Sequence, residues 1–325
     1  MKSSNFISES IYETNLNYVK LQNRTKELFF KCLNEGRSED YFKRQLKKIW
    51  SNIDYSYLED SIEEYKVIMH EINTEEKVDS KDLKIIEILP LVALAKIIKV
   101  DNKFQDVKIN EYTKCLKSYG YKTAKDIYLN KVQERYTNQI VPYFSKETGE
   151  VVRYVQPSTY NAMLHNVDLT RTGWNTTLSD GDELNQDKYY IPTHSFSCPH
   201  CVSYQNKIMN RNEVMDLIGT ANEGAEELLH PNCKCVLAFY KGEKLNKITN
   251  KEELEEQYNI RQKVNTLTLR KEELLTDMKI AKARGEEGLY DKYNSQRKKV
   301  NQEINKLKEA LPTTELRKQV VAINR

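Results

Sequence analysis

The sequence contains few of the residues that make tight turns. Only ten glycines and seven prolines occur in 325 residues, a scarcity that disfavours an all-β fold and favours long helices. Long apolar runs are also missing, since the most apolar stretch, 83–100, contains four charged residues and is interrupted by Pro90. A membrane span needs about 20 mostly apolar residues. We therefore expect a kinked core helix or a buried helix pair there, and no membrane contact.

Recognisable catalytic motifs are lacking as well. The sequence has no glycine-rich phosphate loop, no His-Glu-x-x-His and no Gly-x-Ser-x-Gly. No set of nucleophile, base and orienting group can be assembled, so we predict that the protein is not an enzyme. The first residues, Met-Lys-Ser-Ser-Asn, lead into no apolar run, and we expect no signal peptide.

Cysteine and histidine are scarce but concentrated between residues 194 and 235. These 42 residues hold four of the six cysteines and three of the five histidines. Cys198 and Cys201 have the Cys-x2-Cys spacing of metal sites, with Pro199 favouring a turn, and Cys233 and Cys235 form a second, closer pair. Because sulfur-rich tetrahedral sites suit zinc, we predict a structural zinc site with these four cysteines, the cysteine cluster, as ligands.

Other interpretations of the same residues stay open at this point. His230 lies three residues before Cys233 and is an alternative ligand that would replace one of the later cysteines, while His194 and His200 are weaker candidates. A disulfide would fit a secreted protein, and the cysteines could also be ordinary reduced thiols.

Composition and periodicity divide the chain into three predicted regions. Residues 1–140 show helical spacing of apolar residues, broken near Gly36, and residues 1–150 carry a net charge of +1. Residues 141–240 start with short β structure around a turn, followed by a helix over 158–177, a polar loop over 178–190 and a strand over 236–240, and residues 151–240 carry a net charge of −4. We predict a mainly α chain with a small α+β zinc-knuckle domain in this second region.

The third region, 241–325, has the clearest periodic pattern and a net charge of +6. Two apolar heptad runs flank a glycine-containing turn at 283–288. They predict an antiparallel helical hairpin with a coiled-coil-like seam, which acts as a docking arm or as two solvated helices on a globular body. The heptad positions are Ile260, Val264, Leu267, Lys271, Leu274 and Met278, then Tyr293, Arg297, Val300, Ile304, Leu307 and Leu311.

Several phrases in residues 145–311 occur in the order typical of a known family. They are Gly-Glu-Val-Val-Arg-Tyr-Val at 149–155, Leu-Thr-Arg-Thr at 169–172, Pro-Thr-His-Ser at 192–195 with Tyr-Gln-Asn-Lys at 204–207, His-Pro-Asn-Cys-Lys-Cys at 230–235, and the helical arm from 257. The chain resembles the type 2 minor capsid proteins of tailed bacteriophages, which overlap the Mu F-like head morphogenesis group. It departs from their pattern at Tyr204 and Asn206, where the family has Trp and Gly, and the His-Ser order around His194 is reversed.

The resemblance implies a structural, low-copy virion protein that lies inside the capsid and is present in the host cytoplasm during assembly. Its implied partners are the portal protein and the major capsid or scaffold protein, and its implied roles are head assembly and DNA packaging or ejection. The basic arm would contact double-stranded DNA without sequence specificity, because lysine and arginine neutralise phosphates. The alternative is a zinc-containing nucleic-acid-binding protein or nuclease.

Overall fold

The residues that the structure describes form a mainly helical fold with two small antiparallel sheets, as the sequence predicts. Its geometry comes from a computed structural model. The described residues are 2–51, 53–79, 81, 83, 85, 91, 93–119, 125–144, 148–222, 233–245, 248, 250–313 and 316–317. Among them, no helix is both long enough and apolar enough to cross a membrane.

Helices occupy the described part of the first predicted region. They are α1 (Lys2–Asn34), α2 (Glu39–Trp50), α3 (Ser56–Thr74), α4 (Ala93–Tyr119) and α5 (Lys125–Arg135). The predicted break after α1 is confirmed: Gly36 has a φ of 63°, and the Ser38 hydroxyl caps α2 by accepting from the Tyr41 backbone N–H at 3.2 Å. Pro90, with its predicted kink, lies outside the described residues.

Aromatic side chains fill the core among these helices. The rings of Phe42 and Tyr112 stack with centroids 4.2 Å apart, and Phe29 packs edge-on against both. Cys32 is buried in the same core and Cys115 packs against it, so these two cysteines are core residues, as predicted.

A β-hairpin follows α5. Strands β1 (Val141–Phe144) and β2 (Val151–Val155) pair antiparallel, with Val141 opposite Val155, and Gly149 has a φ of 69° before β2. This confirms the predicted β structure around a turn.

The longest buried element is α6 (Pro157–Glu183), which packs against α1, α3 and α4. The predicted polar loop over 178–190 is wrong, because the helix continues to Glu183 and β3 (Lys188–Tyr190) follows it. Leu178 is fully buried inside that stretch, and Asp180 accepts hydrogen bonds from His70 and Asn73 of α3, both at 2.7 Å. The polar residues that suggested a loop are therefore satisfied inside the protein.

The second sheet surrounds the cysteine-rich segment. Its strand order is β4 (Met209–Asn210), β3, then β5 (Ala238–Phe239), all antiparallel. The short helix α7 (Pro199–Val202) precedes β4, and α8 (Arg211–Asn222) follows it directly. The predicted strand over 236–240 is confirmed in its central two residues.

The chain's third region forms the predicted helical hairpin of α9 (Lys251–Ala283) and α10 (Glu287–Glu309). Gly285 has a φ of 71° in the connecting turn. Ile260 and Val264 pack with Ile304, while Met278 packs with Tyr293, so the helices run antiparallel.

The predicted regions contact one another closely. Lys26 of α1 and Asp277 of α9 form a buried ion pair at 2.6 Å, and α6 of the second predicted region packs on helices of the first. The division into regions 1–140, 141–240 and 241–325 stays a prediction.

Candidate metal centre

The first pair of clustered cysteines lies at the start of α7. Cys198 is the N-cap residue and its Sγ accepts a hydrogen bond from the Cys201 backbone N–H at 3.3 Å, while Pro199 occupies the first helical turn. Proline is favoured there because its missing N–H has no helical partner at that position. The Cys-Pro-x-Cys spacing therefore turns both side chains to the same side of the chain.

Three sulfur atoms converge on one point. The Sγ atoms of Cys201, Cys233 and Cys235 lie within 4.8 Å of one another, and the Cys201–Cys233 separation is 3.6 Å. A tetrahedral zinc ion with bonds of about 2.3 Å would hold its sulfur ligands roughly 3.8 Å apart. All six cysteines are free thiols, so the disulfide alternative is not adopted. The three thiols are buried and could bind a metal ion.

The fourth ligand has two described candidates. Cys198 is buried beside Cys201, and its thiol hydrogen-bonds with the Cys201 thiol. His194 Nε2 lies 3.7 Å from Cys235 Sγ. The proposed alternative ligand His230 lies outside the described residues, as does the His200 side chain. His194, a weaker candidate from the sequence, is thus the histidine that the described residues place against the cluster.

Burial and hydrogen bonds between the thiols shift the pKa values of two cysteines of the cluster. The pKa of the Cys201 thiol is raised far above its usual range, because the other three thiols of the cluster hydrogen-bond with it and because it is buried. The pKa of Cys235 is raised as well: its hydrogen bond with Cys201 lowers the pKa, but the bond with Cys233 and burial outweigh this effect. Neighbouring buried thiolates repel one another, and a divalent metal would remove that repulsion.

Side chains of helix α6 hold the second cysteine pair by hydrogen bonds to the cysteine backbone carbonyls. The Asn166 Nδ2 and Thr170 Oγ1 atoms donate to the Cys233 carbonyl at 2.8 and 2.9 Å. Trp174 Nε1 donates to the Cys235 carbonyl at 2.9 Å, so both carbonyls are fixed by buried donors. Sequence reasoning missed these three residues, yet they recur every four positions and lie on one face of the helix. That polar periodicity inside an otherwise buried helix was the available signal.

A further contact comes from the turn after α7. Gln205 Nε2 donates to Ser197 Oγ at 3.0 Å and lies 3.7 Å from Cys235 Sγ. The next residue, Asn206, has a φ of 56°, a left-handed conformation that asparagine and glycine tolerate best. Its backbone N–H donates to the Ile191 carbonyl at 2.8 Å and so fixes the turn that presents Gln205.

A cavity of about 690 Å³ borders the centre. It lies between α1, β2, the first turns of α6 and the middle of α9, and Cys198, Cys201 and Cys235 belong to its wall. Arg261 of α9 and Lys234 line it close to the cysteines.

Comparison with known proteins brings no relative. No protein-family model matches the chain, and neither a curated protein nor a solved structure matches it.

Proposed function

We propose that the chain is a structural protein held together by a zinc ion at the cysteine cluster, and that it serves as a portal-associated minor capsid protein of a tailed phage. The convergence of three buried thiols from two distant segments carries the first half of this proposal. Residues 201 and 233 are 32 positions apart, so a metal there would cross-link the chain around the second sheet.

The ligand chemistry favours zinc over other common ions. Thiol ligands are soft, and magnesium or calcium would require carboxylate and carbonyl oxygens instead. With Cys198 as the fourth ligand the coordination would be closed, which is typical of structural rather than catalytic zinc.

The capsid role is supported by the family resemblance and by the backbone conformation of three residues in the matching sequence phrases. Asn206 stands where the family has glycine, and it adopts a positive φ; Gly149 and Gly285, which also belong to matching phrases, do the same. Left-handed backbone at these three positions explains why glycine or asparagine occupies each of them.

The DNA contact is assigned to α10. Lys298, Lys299 and Lys306 are exposed on this helix, with Lys299 and Lys306 two turns apart on one side. Replacing all three by Glu should abolish binding to double-stranded DNA and leave the zinc content unchanged. If the triple variant binds DNA as tightly as the parent does, the helical arm is not the DNA-binding surface.

The capsid role is tested by assembly. The chain is co-expressed with the portal, scaffold and major capsid proteins of its own phage, and procapsids are purified and analysed by mass spectrometry. We expect a few copies per particle, retained on the portal after the shell is dissociated. A chain that stays out of the particles, while the other proteins assemble, contradicts the capsid role and leaves the zinc site standing.

The alternative is a zinc-containing nuclease or nucleic-acid-binding protein. It is favoured by one observation, namely that the cavity carrying Arg261 and Lys234 reaches the cysteine wall. This alternative predicts metal-dependent hydrolysis of DNA or RNA, which a gel assay with and without a chelator would detect. The structural role predicts no turnover.

A further inference from the structure

Two cationic side chains converge on a single hydroxyl beside the cavity. Lys234 Nζ donates to Ser8 Oγ at 2.9 Å, and Arg261 Nη2 donates to the same oxygen at 3.1 Å. Arg261 is only 7 % exposed, and its guanidinium lies 5.1 Å from the centre of the Phe196 ring. Within the described part of the chain, neither cation has a carboxylate partner. The pair therefore brings two positive charges together with one neutral acceptor.

Burying this pair is unfavourable for the protein by itself. Arg261 is buried and Lys234 is partly buried, and burial lowers the pKa of Arg261 to about 10. Buried charges are normally paired, because the desolvation cost of an unpaired ion is high. An anion held between the two side chains would offset that cost.

The remaining charges of the cavity are mostly positive. Arg153 of β2 and Arg270 of α9 also line it, and Glu273 is the carboxylate among the described lining residues. Glu273 is already engaged, since it accepts hydrogen bonds from Arg270 at 3.0 Å and from Gln156. Four cations and one carboxylate leave an excess of positive charge, even beside a metal centre with four thiolates and a net charge of −2.

We propose that this cavity binds a phosphate group, with Arg261 and Lys234 as its ligands. A guanidinium offers a planar fork of donors that matches phosphate oxygens, and a lysine adds a point charge. The volume of about 690 Å³ lies within the usual range for small-ligand sites, so a nucleotide would fit as well as free phosphate. Tyr143, Tyr154 and Tyr160 line the same cavity, so aromatic side chains are available to a nucleotide base there.

This site does not depend on the capsid role and is distinct from the metal centre, although Lys234 belongs to the cysteine segment. Ser8 belongs to α1 and Arg261 to α9, and Ser8 lies outside the segment with the cysteines. Because Lys234 lies between Cys233 and Cys235, the zinc content has to be measured in every variant. Loss of phosphate binding with full zinc content then separates the two proposals.

The test is calorimetric titration of the full chain with inorganic phosphate at constant ionic strength, with chloride as the reference salt. We expect saturable binding that weakens about tenfold or more in Arg261→Gln and in Lys234→Gln, because each loses a charge-assisted hydrogen bond. Arg44→Gln is the matched control, since Arg44 is exposed on α2, and it should bind as the parent does. Ser8→Ala should retain binding, because both cations remain.

Two results would overturn the proposal. One is the absence of saturable phosphate binding by the parent chain. The other is equal affinity for phosphate in the parent and in the folded charge variants. If Arg261→Gln does not fold, Arg261→Lys takes its place, since it keeps the charge but loses the planar fork of guanidinium donors. Parallel titrations with a deoxynucleoside monophosphate, and with a DNA duplex with or without a 5′-phosphate, identify the source of the phosphate group.

Discussion

Asp101 lies in the helical interior, where its carboxylate joins four parts of the fold. Its Oδ2 accepts from Tyr18 of α1 at 3.1 Å and from Tyr55, the residue before α3, at 2.8 Å. Its Oδ1 accepts from Asn161 of α6 at 2.9 Å. Burial raises the pKa of Asp101 to about 6, and the three hydrogen bonds only partly counter this. The group therefore makes stability depend on pH.

The direction of this pH dependence follows from the raised pKa of Asp101. The folded protein binds the Asp101 proton more tightly than the unfolded chain, whose aspartate pKa is about 3.9. The tighter proton binding stabilises the folded protein by roughly 3 kcal/mol. This stabilisation is fully present below about pH 4 and is lost as the pH rises through about 6. In Asp101→Asn this part of the free energy of unfolding no longer changes with pH, because the amide has no proton to lose in this range.

Asp101→Asn is accordingly expected to gain stability relative to the parent as the pH rises from about 4 to about 7. Urea unfolding of both proteins at several pH values measures the difference, in which the titration of all other groups cancels. The Asn161 side chain can rotate its amide to present Oδ1, an atom with no partner, to the new donor. Parallel pH profiles for the two proteins would mean that Asp101 has an ordinary pKa.

At the scale of the element, α6 joins the helical core to the cysteine cluster. Gly181 near its C-terminal end lies against Tyr189 of β3, whose ring belongs to the same buried core as the four cysteines. A methyl group at position 181 would come within 3.0 Å of Tyr189 Cζ. Since the Tyr189 hydroxyl also donates to the Gln186 carbonyl at 2.9 Å, the ring has little freedom to move.

Gly181→Ala should therefore destabilise the protein by about 1–3 kcal/mol, as overpacked cores do, although alanine is the better helix former. Gly288→Ala is the matched control: this glycine is also helical, in the first turn of α10, and an added Cβ meets no atom within 4 Å. It should be neutral or stabilising by up to about 1 kcal/mol. Thermal unfolding of the two variants compares them, and equal melting temperatures would show that Tyr189 yields to the methyl group.

The same elements show how far the sequence could predict the fold. The α9–α10 hairpin was predictable because its apolar residues keep a strict heptad spacing, and Ile260, Val264, Ile304 and Leu311 are buried as that spacing requires. The end of α6 was not, because residues 178–183 are mostly polar and their burial depends on partners from α3, such as His70 and Asn73. Tertiary hydrogen bonds of this kind leave no trace in local periodicity.

The candidate site was also only partly predictable from the sequence. Ligand spacing predicted the cysteine cluster, and three of its four sulfurs lie together. The donors on α6 that fix the cysteine carbonyls, and the cations that converge on Ser8, are brought there by contacts across more than 60 positions of sequence. No spacing rule connects residues so far apart, so this part of the site required the three-dimensional arrangement.

At the scale of the whole molecule, a metal ion bound at the cysteine cluster would link the second sheet to α6 and, through α7, to α9. The packing of α7 on α9 places the arm beside the cysteines, and Lys26 and Asp277 tie the same arm to α1. Loss of the metal should loosen the sheet and the arm together, because four thiols of the same buried core would lose the ion that joins them.

The most direct test is the metal content of the purified chain, measured by mass spectrometry for the parent, Cys201→Ser, Cys233→Ser and the control Cys32→Ser, which changes a buried thiol of the aromatic core. Cobalt substitution, followed by the intensity of the thiolate absorption in Cys198→Ser and His194→Ala, would identify the fourth ligand. We predict one zinc per chain in the parent and in Cys32→Ser, and loss of the zinc in the two cluster variants. A parent without zinc, or cluster variants that keep it, would contradict the proposed zinc site.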